Sequence, residues 1–247
     1  MGVPSLPKRE RKAVEDFVSE AAKALGENLR SVILYGSAAG GEFLPGRSDV
    51  NLLVVLKDAG PEALSKIAPA VRRAVAGDVL PVVLSESDLL RSADVFAIEH
   101  ADLAERRVVI YGEDILAGVE VRPEDLRRQL EFEARSKLIR LRQAYMRDVG
   151  SPRGLLELAG RSLSSLLPLF KAALRLVGRE VPGTRRELLE AACEAFSLDR
   201  EALLWALRAL RGEAKRAEAS SMFPGYLRAV EGFVKFLDAW KAEAKGE

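Results

Sequence analysis

The chain has 247 residues, of which 48% are hydrophobic and 30% charged, and its charges nearly cancel to a net +1. That length and apolar content fit one large domain or two small ones. The charge balance argues against direct binding of nucleic acid, and a single cysteine, Cys193, excludes an intrachain disulfide. Without a run of about 18 apolar residues or a signal-type apolar segment, we expect a cytoplasmic protein that does not span a membrane.

Helices and strands alternate in the first part of the chain. Apolar residues at helical spacing predict a first helix, a proline opens a second, and Ser85 followed by Asp88 resembles a capping box for a short third. Short apolar runs bounded by turn residues predict the strands. The predicted helices are 7–25, 61–76 and a short one after Ser85; the predicted strands are 31–35, 50–56, 79–84, 96–98 and 107–111.

Strand patterns end after residue 118. Pro123 opens a long helix with apolar residues at steps of three and four, and Gly150 to Pro152 end it. A capping box of Thr184 and Glu187 begins another helix. With further helices at about 153–177, 199–211 and 222–244, this half is predicted to be an all-helical bundle.

A Gly-Ser turn follows the first strand. Gly36 lets the backbone bend tightly and approach a ligand, and Ser37 adds a hydroxyl beside amides that can face an anion. These two residues are candidate nucleotide-binding residues for a triphosphate. An isolated Gly-Ser pair is, however, an ordinary turn in most proteins.

An acid and an amide stand at the head of the next strand. Eleven residues separate Ser37 from Asp49, and Asn51 follows two positions later. Residues two apart on a strand share a face, so two carboxylates here would share divalent metal ions for phosphoryl or nucleotidyl transfer. Asp49 and Asn51 are the candidate catalytic residues, and Asp49 is the candidate Mg²⁺ ligand.

The ordered pattern resembles the polymerase-beta-like nucleotidyltransferase superfamily. The resemblance rests on five features in order: an apolar strand, Gly36-Ser37, a spacer of eleven residues, Asp49-Val50-Asn51 and a second apolar strand. An α/β domain followed by a helical bundle is similar to the kanamycin-nucleotidyltransferase arrangement. The resemblance implies an α+β protein: a mixed-sheet nucleotidyltransferase-like domain in residues 1–118, then an all-α bundle in residues 119–247.

The resemblance also implies a reaction and partners. Such enzymes transfer a nucleoside monophosphate from a nucleoside triphosphate, with Mg²⁺, to a hydroxyl of a small molecule or a protein. A kanamycin-type arrangement often places its site between subunits, which is compatible with a homodimer.

The pattern departs from the family at three positions. The second acid is Asn51, whose amide oxygen carries no charge and cannot bridge two metal ions as a carboxylate does. Gly40 stands where many members have an arginine. The third carboxylate usually lies on the strand predicted at 79–84, which has no acid; Asp78 precedes it, and Glu86 and Asp88 follow it.

Three functions therefore stay open from the sequence. The protein is a nucleotidyltransferase with weak or lost transfer activity, a degenerate nucleotide-binding sensor or regulator, or an interaction protein that acts through its bundle. The loss of one bridging charge costs several kcal/mol of transition-state stabilisation, roughly a thousandfold in rate.

A few further side chains are candidates with simpler interpretations. His100, the single histidine, is expected to be structural or exposed rather than a general base, and Cys193 is expected to be packed. The resemblance to kanamycin-type enzymes implies a carboxylate in the helical half that helps deprotonate the acceptor hydroxyl, and Glu131 or Glu133 resembles it by position. The arginines on the same helix are expected to form a solvated face.

Overall fold

A mixed sheet with helices precedes an all-helical region, which confirms the predicted α+β class. The computed structural model describes residues 6–40, 43, 49–105 and 107–241, with the backbone alone at residues 37 and 105. The chain divides into two compact units, Met1–Val121 and Arg122–Glu247. We call them the sheet unit and the helical unit.

Four strands form the sheet in the order β3-β2-β1-β4. Strand β1 is antiparallel to both of its neighbours, whereas β2 and β3 run parallel. A parallel pair needs a crossover connection, which helix α2 provides between β2 and β3. The strands are β1 (Leu29–Tyr35), β2 (Val50–Leu56), β3 (Val79–Ser85) and β4 (Arg107–Gly112).

Helices cover both faces of this sheet. Helices α1 (Lys8–Leu25) and α2 (Pro61–Ala76) bury their apolar sides against the face that carries Val50, Leu52 and Val54. The opposite face carries Ile33, Leu53 and Val55, and its cover comes from Leu89 of α3 (Glu86–Arg91) and Leu103 of α4 (Ala97–Glu105). The period of two along each strand thus divides β2 between two cores.

The strand predicted at 96–98 is wrong, because these residues begin helix α4. The amide of His100 donates to the carbonyl of Phe96, which opens a helical turn. Ala97, His100 and Leu103 are all buried, and their spacing of three is that of a helix rather than a strand. A run of three apolar residues is compatible with a strand or a helix, so the spacing of buried residues beyond the run is needed to distinguish the two.

Proline marks the edge of the sheet. Pro81 lies within β3, an outer strand, where a residue without an amide proton can be tolerated. Of the capping box predicted for Ser85 and Asp88, the structure shows the N-cap bond, in which the Ser85 hydroxyl accepts from the amide of Asp88 at 3.0 Å.

The helical unit has a core rich in aromatic rings. Trp205, Phe223 and Tyr226 are fully buried and pack edge to face. The predicted capping box of Thr184 and Glu187 is confirmed. The helices are α5 (Pro123–Asp148), α6 (Pro152–Leu176), α7 (Arg185–Phe196), α8 (Arg200–Arg211) and α9 (Ala219–Ala239).

Candidate functional site

Four residues form a row across the sheet at the end where β1 stops. Asn51 pairs with Leu80 of β3 on one side and with Tyr35 of β1 on the other. Tyr35 in turn pairs with Arg107 of β4. Paired residues on neighbouring strands share a face, so all four side chains lie on the side covered further along by α3 and α4. We call Leu80, Asn51, Tyr35 and Arg107 the site row.

The Gly-Ser turn lies directly against Asn51. Gly36 follows Tyr35, has φ of +73°, and begins a 3₁₀ turn over Gly36–Ala38. A Cβ atom added at Gly36 would meet Nδ2 of Asn51 at 3.4 Å. The amides of Ala39 and Gly40 both donate to the Gly36 carbonyl. The structure therefore brings two of the predicted site residues, Gly36 and Asn51, into contact.

Asp49 stands at the open end of β2. It is exposed, immediately precedes the strand, and is two residues from Asn51. The next residue, Val50, is anchored by a hydrogen bond from its amide to the carbonyl of Asp78 at 3.0 Å. The side chain of Ser37 and most of the spacer, 41–42 and 44–48, lie outside the described residues.

Two of the three acids near β3 form ion pairs. Asp78 has φ of +62° and lies 3.5 Å from Arg9. Glu86 pairs with Arg30 at 3.1 Å. Asp88 belongs to the first turn of α3, where its amide is capped by Ser85.

Apolar side chains occupy the corresponding positions on β3 itself. Leu80 pairs with Asn51 and Val82 with Leu53, so both face the same side as Asn51. They are 36% and 45% exposed. The sheet thus presents aliphatic surface where the family resemblance implies a third carboxylate.

Two polar residues of the site row were not predicted from the sequence. Tyr35 is half-buried; burial, and then the negative charge of Asp102 on α4, raises the pKa of its phenol. Arg107 is held by Asp114 through bonds of 2.9–3.1 Å and donates to the carbonyl of Ala104. Only the strand register, a long-range property, places Tyr35 beside Asn51 and Arg107 beside Tyr35.

The donor set is suited to a single cation. Among the described residues, no group of three or more His, Cys, Asp or Glu side chains is arranged to hold a metal ion. Asp49 offers a carboxylate and Asn51, two residues later, an amide oxygen, both hard donors of the kind Mg²⁺ prefers. They fit one Mg²⁺ that takes its remaining ligands from phosphate and water, and they do not fit a bridged pair of ions.

The histidine and cysteine are both packed inside the protein. His100 is 3% exposed, and its Nε2 lies 3.1 Å from the Ser92 hydroxyl. Burial lowers the pKa of the imidazole, although Glu99 opposes that shift, and the buried Nδ1 has no hydrogen-bond partner. Burial raises the pKa of the Cys193 thiol to about 11, which makes it unreactive. The prediction that Cys193 is packed is confirmed.

The carboxylates predicted by position on α5 are salt-bridged. Glu131 binds Arg127 at 2.7 Å and Arg135 at 2.9 Å, and the hydrogen bond from Arg135 is the main cause of its lowered pKa. A carboxylate held in this way is a weak proton acceptor. Glu133 lies 3.5 Å from Lys137.

Comparisons with known proteins agree with this fold. Residues 14–121 match the model of the nucleotidyltransferase domain family. A solved structure with similar architecture is spectinomycin adenyltransferase AAD(9) from Enterococcus faecialis, determined with ATP and spectinomycin. The match covers 92% of this chain and 99% of that one, with 15% identity and a TM-score of 0.57, which establishes likeness of fold. No curated protein matches the chain. In the described part of the chain, every helix is too short or too polar to cross a membrane.

Proposed function

We propose that this protein binds a nucleoside triphosphate at the Gly36 turn and transfers its nucleoside monophosphate slowly, because residues 14–121 match the nucleotidyltransferase domain family. The acceptor is a hydroxyl of a small molecule or a protein. Asp49 is the charged ligand of one Mg²⁺, and Asn51 is a neutral ligand or a contact to the acceptor.

The contact between Gly36 and Asn51 carries this proposal. At the end of β1, the 3₁₀ turn that begins at Gly36, a residue with positive φ, lies beside the amide side chain of Asn51. In such a turn the first amides, here those of Ser37 and Ala38, have no partner within the turn and can bind phosphate oxygens. The same architecture in AAD(9) was determined with ATP, which supports a triphosphate as the ligand.

The reaction makes clear demands on this site. The acceptor oxygen attacks the α-phosphorus, the bond to pyrophosphate breaks, and the hydroxyl proton must leave. Mg²⁺ bound with the triphosphate would supply positive charge to the phosphates. Residues of the chain then have two tasks, to position the phosphates and to accept the proton. The Gly36 turn performs the first of these.

The proton acceptor is the weak part of the site. Leu80, Val82 and Leu84 are the β3 residues on the face of Asn51, and none of them can take a proton. Asn51 also adds no negative charge to hold a second cation. If these two deficits cost about 4 kcal/mol of transition-state stabilisation, the rate is about a thousandfold below that of an intact site.

A nucleotide-binding sensor is the second candidate function. The observation that favours it is that the site row carries an amide, Asn51, and an aliphatic side chain, Leu80, where the family resemblance implies carboxylates, while the Gly36 turn is present. It predicts the same nucleotide affinity with no transfer at all. Turnover therefore separates the two functions, and binding does not.

Calorimetric titration with each triphosphate, with and without Mg²⁺, is the first test. We expect Mg²⁺-dependent binding with one cation per nucleotide, and Asn51→Asp should raise the affinity for the cation. Transfer from α-labelled triphosphate is then measured in wild type and in Asn51→Asp/Leu80→Asp, which restores two carboxylates. Leu64→Asp, a substitution at a 41% exposed residue of α2, is the matched control for added charge.

Failure would be easy to recognise. Absence of binding to any triphosphate would refute both functions. Mg²⁺ affinity that is unchanged by Asn51→Asp would show that Asp49 and Asn51 do not form a metal site.

A further inference from the structure

Helix α4 covers the same face of the sheet that carries the site row. Leu103 of α4 is buried in an apolar cluster with Ile33 and Leu53, and Tyr35 of the site row packs against that cluster. The polar groups near the site row can therefore come from this helix as well as from the strands.

Arg107 joins the last turn of α4 to the site row. Its Nη1 donates to the carbonyl of Ala104 at 2.6 Å, while its Nε and Nη2 donate to the Asp114 carboxylate at 2.9–3.1 Å. A guanidinium that binds one carboxylate through two nitrogens has a fixed orientation. We call Arg107, Ala104 and Asp114 the α4 clamp. Because Arg107 pairs with Tyr35 across the sheet, the clamp fixes the last turn of α4 relative to Tyr35.

Asp102 lies in this last turn of α4. It is exposed, and it comes one residue before Leu103 and two before Ala104. Burial is the larger cause of the raised pKa of the Tyr35 phenol, and the negative charge of Asp102 adds to it. Such an effect requires a short distance between the two groups. Tyr35 in turn pairs with Asn51, on a strand about 4.8 Å away.

A carboxylate at this place would meet a demand that β3 does not meet. The β3 residues on the face of Asn51 are Leu80, Val82 and Leu84, which are all aliphatic. Asp49, in the proposed function, binds Mg²⁺, and a carboxylate that neutralises a cation is a poor proton acceptor. The acceptor hydroxyl therefore needs a base from another element.

We propose that Asp102 is the proton acceptor of the transfer reaction, held beside the site row by the α4 clamp. This inference rests on the proposed function. As the acceptor oxygen bonds to the α-phosphorus, its proton passes to the Asp102 carboxylate. The bond from the α-phosphorus to pyrophosphate breaks, and its electron pair leaves with pyrophosphate. The carboxyl group then gives the proton to water.

Transfer kinetics of the full-length protein provide the main test. Wild type and Asp102→Asn are compared with α-labelled ATP, Mg²⁺ and ethanol as the acceptor. Loss of a general base costs at least about 100-fold, so kcat should fall by about that factor while the affinity for ATP, measured by calorimetry, stays unchanged. Asp102→Glu should recover part of the rate. Asp94→Asn, at an exposed acid that precedes α4, is the matched control and should keep the wild-type rate.

Two readouts distinguish a base from a residue that only supports the fold. Trifluoroethanol has a more acidic hydroxyl than ethanol and needs less help from a base, so Asp102→Asn should lose less activity with trifluoroethanol. Leu80→Asp adds a carboxylate on β3. In that background Asp102→Asn should cost less than in wild type, because two groups that serve the same step are not additive.

The position of Asp102 is tested without turnover. The chain has four tyrosines, so magnetic resonance of ring-labelled tyrosine can follow each phenol separately. Asp102→Asn should lower the pKa of Tyr35 and leave the other three unchanged. Arg107→Lys keeps the charge but lacks the planar fork of the clamp, so it should lower both kcat and the pKa of Tyr35.

The outcomes separate this inference from the proposed function. An unchanged kcat in Asp102→Asn would overturn the inference and leave the proposed function intact. Equal losses with the two alcohols, or full additivity with Leu80→Asp, would also overturn it. A wild-type protein that binds ATP but transfers nothing to either alcohol or to water would refute the transferase function, and the inference with it.

Discussion

Replacement of Gly36 by alanine separates the stability of the turn from its proposed function. Gly36 has φ of +73°, and an added Cβ would be in ordinary contact with Asn51 Nδ2 at 3.4 Å. The strain therefore comes from the backbone: a left-handed conformation costs alanine about 1–2 kcal/mol, offset by about 0.4–1 kcal/mol of lost freedom in the unfolded chain. We expect a net loss of about 1 kcal/mol.

Gly212 provides the matched control. Its φ is +74° and an added Cβ would meet nothing within 4 Å, so Gly212→Ala carries the same backbone cost without a neighbour. Gly212 belongs to the helical unit and has no part in the proposed site. Urea unfolding should show similar destabilisation for both variants.

Nucleotide affinity should distinguish the two variants. If the Gly36 turn shifts to relieve its strain, it loses at least one hydrogen bond to a charged phosphate, worth about 1.5–3 kcal/mol, or roughly 10- to 100-fold in affinity. Calorimetry with Mg²⁺ and triphosphate should therefore show weakened binding for Gly36→Ala and unchanged binding for Gly212→Ala. Wild-type affinity in a folded Gly36→Ala protein would refute the assignment of this turn to phosphate.

Three further predictions concern stability. Gly112→Ala should lower the free energy of unfolding in urea by more than about 3 kcal/mol, because Gly112 has φ of +75° and an added Cβ would lie 1.9 Å from the Arg30 carbonyl oxygen. A loss near 1 kcal/mol would mean that β4 shifts to make room for the methyl group. Burial lowers the pKa of His100 below 6.5, so the unfolded chain binds the proton more tightly than the folded protein does. The free energy of unfolding should therefore fall as the pH drops below about 6.5. Unfolding curves at a series of pH values should show this fall in the wild type and not in His100→Gln. Ser162→Ala should cost about 1–3 kcal/mol of stability, because it leaves the Tyr226 hydroxyl buried and unpaired. Tyr226→Phe should cost less, because Ser162 keeps its hydrogen bond to the Leu158 carbonyl. Thermal unfolding of both variants shows which one is less stable.

Local signals in the sequence were sufficient for most elements. Ser85 and the Thr184 capping box bind backbone amides of their own helices, so the information lies within a few residues. The predicted helix at 222–244 instead spans Ala219–Ala239, because Trp240 is extended. Residues beyond 241 lie outside the described part of the chain. The division into domains at residue 118 stays a prediction.

The site was predictable only in its linear order. Gly36, Asp49 and Asn51 are close in sequence and carry a recognisable pattern. Tyr35, Leu80 and Arg107 become neighbours of Asn51 through pairing across three other strands, and no short pattern encodes that register. The roles of Ser37 in phosphate binding, of Asp49 in Mg²⁺ binding and of a homodimer remain predictions.

The position of β1 in the sheet has a consequence for how the chain folds. Its partners are β2, which follows closely, and β4, which begins at residue 107. Contacts between residues so distant in sequence form slowly, whereas helix pairs joined by short loops form early. We therefore expect the helical unit to refold faster than the sheet unit. The Gly36 turn, fixed between β1 and β2, would acquire its final geometry only when β4 closes the far side of β1.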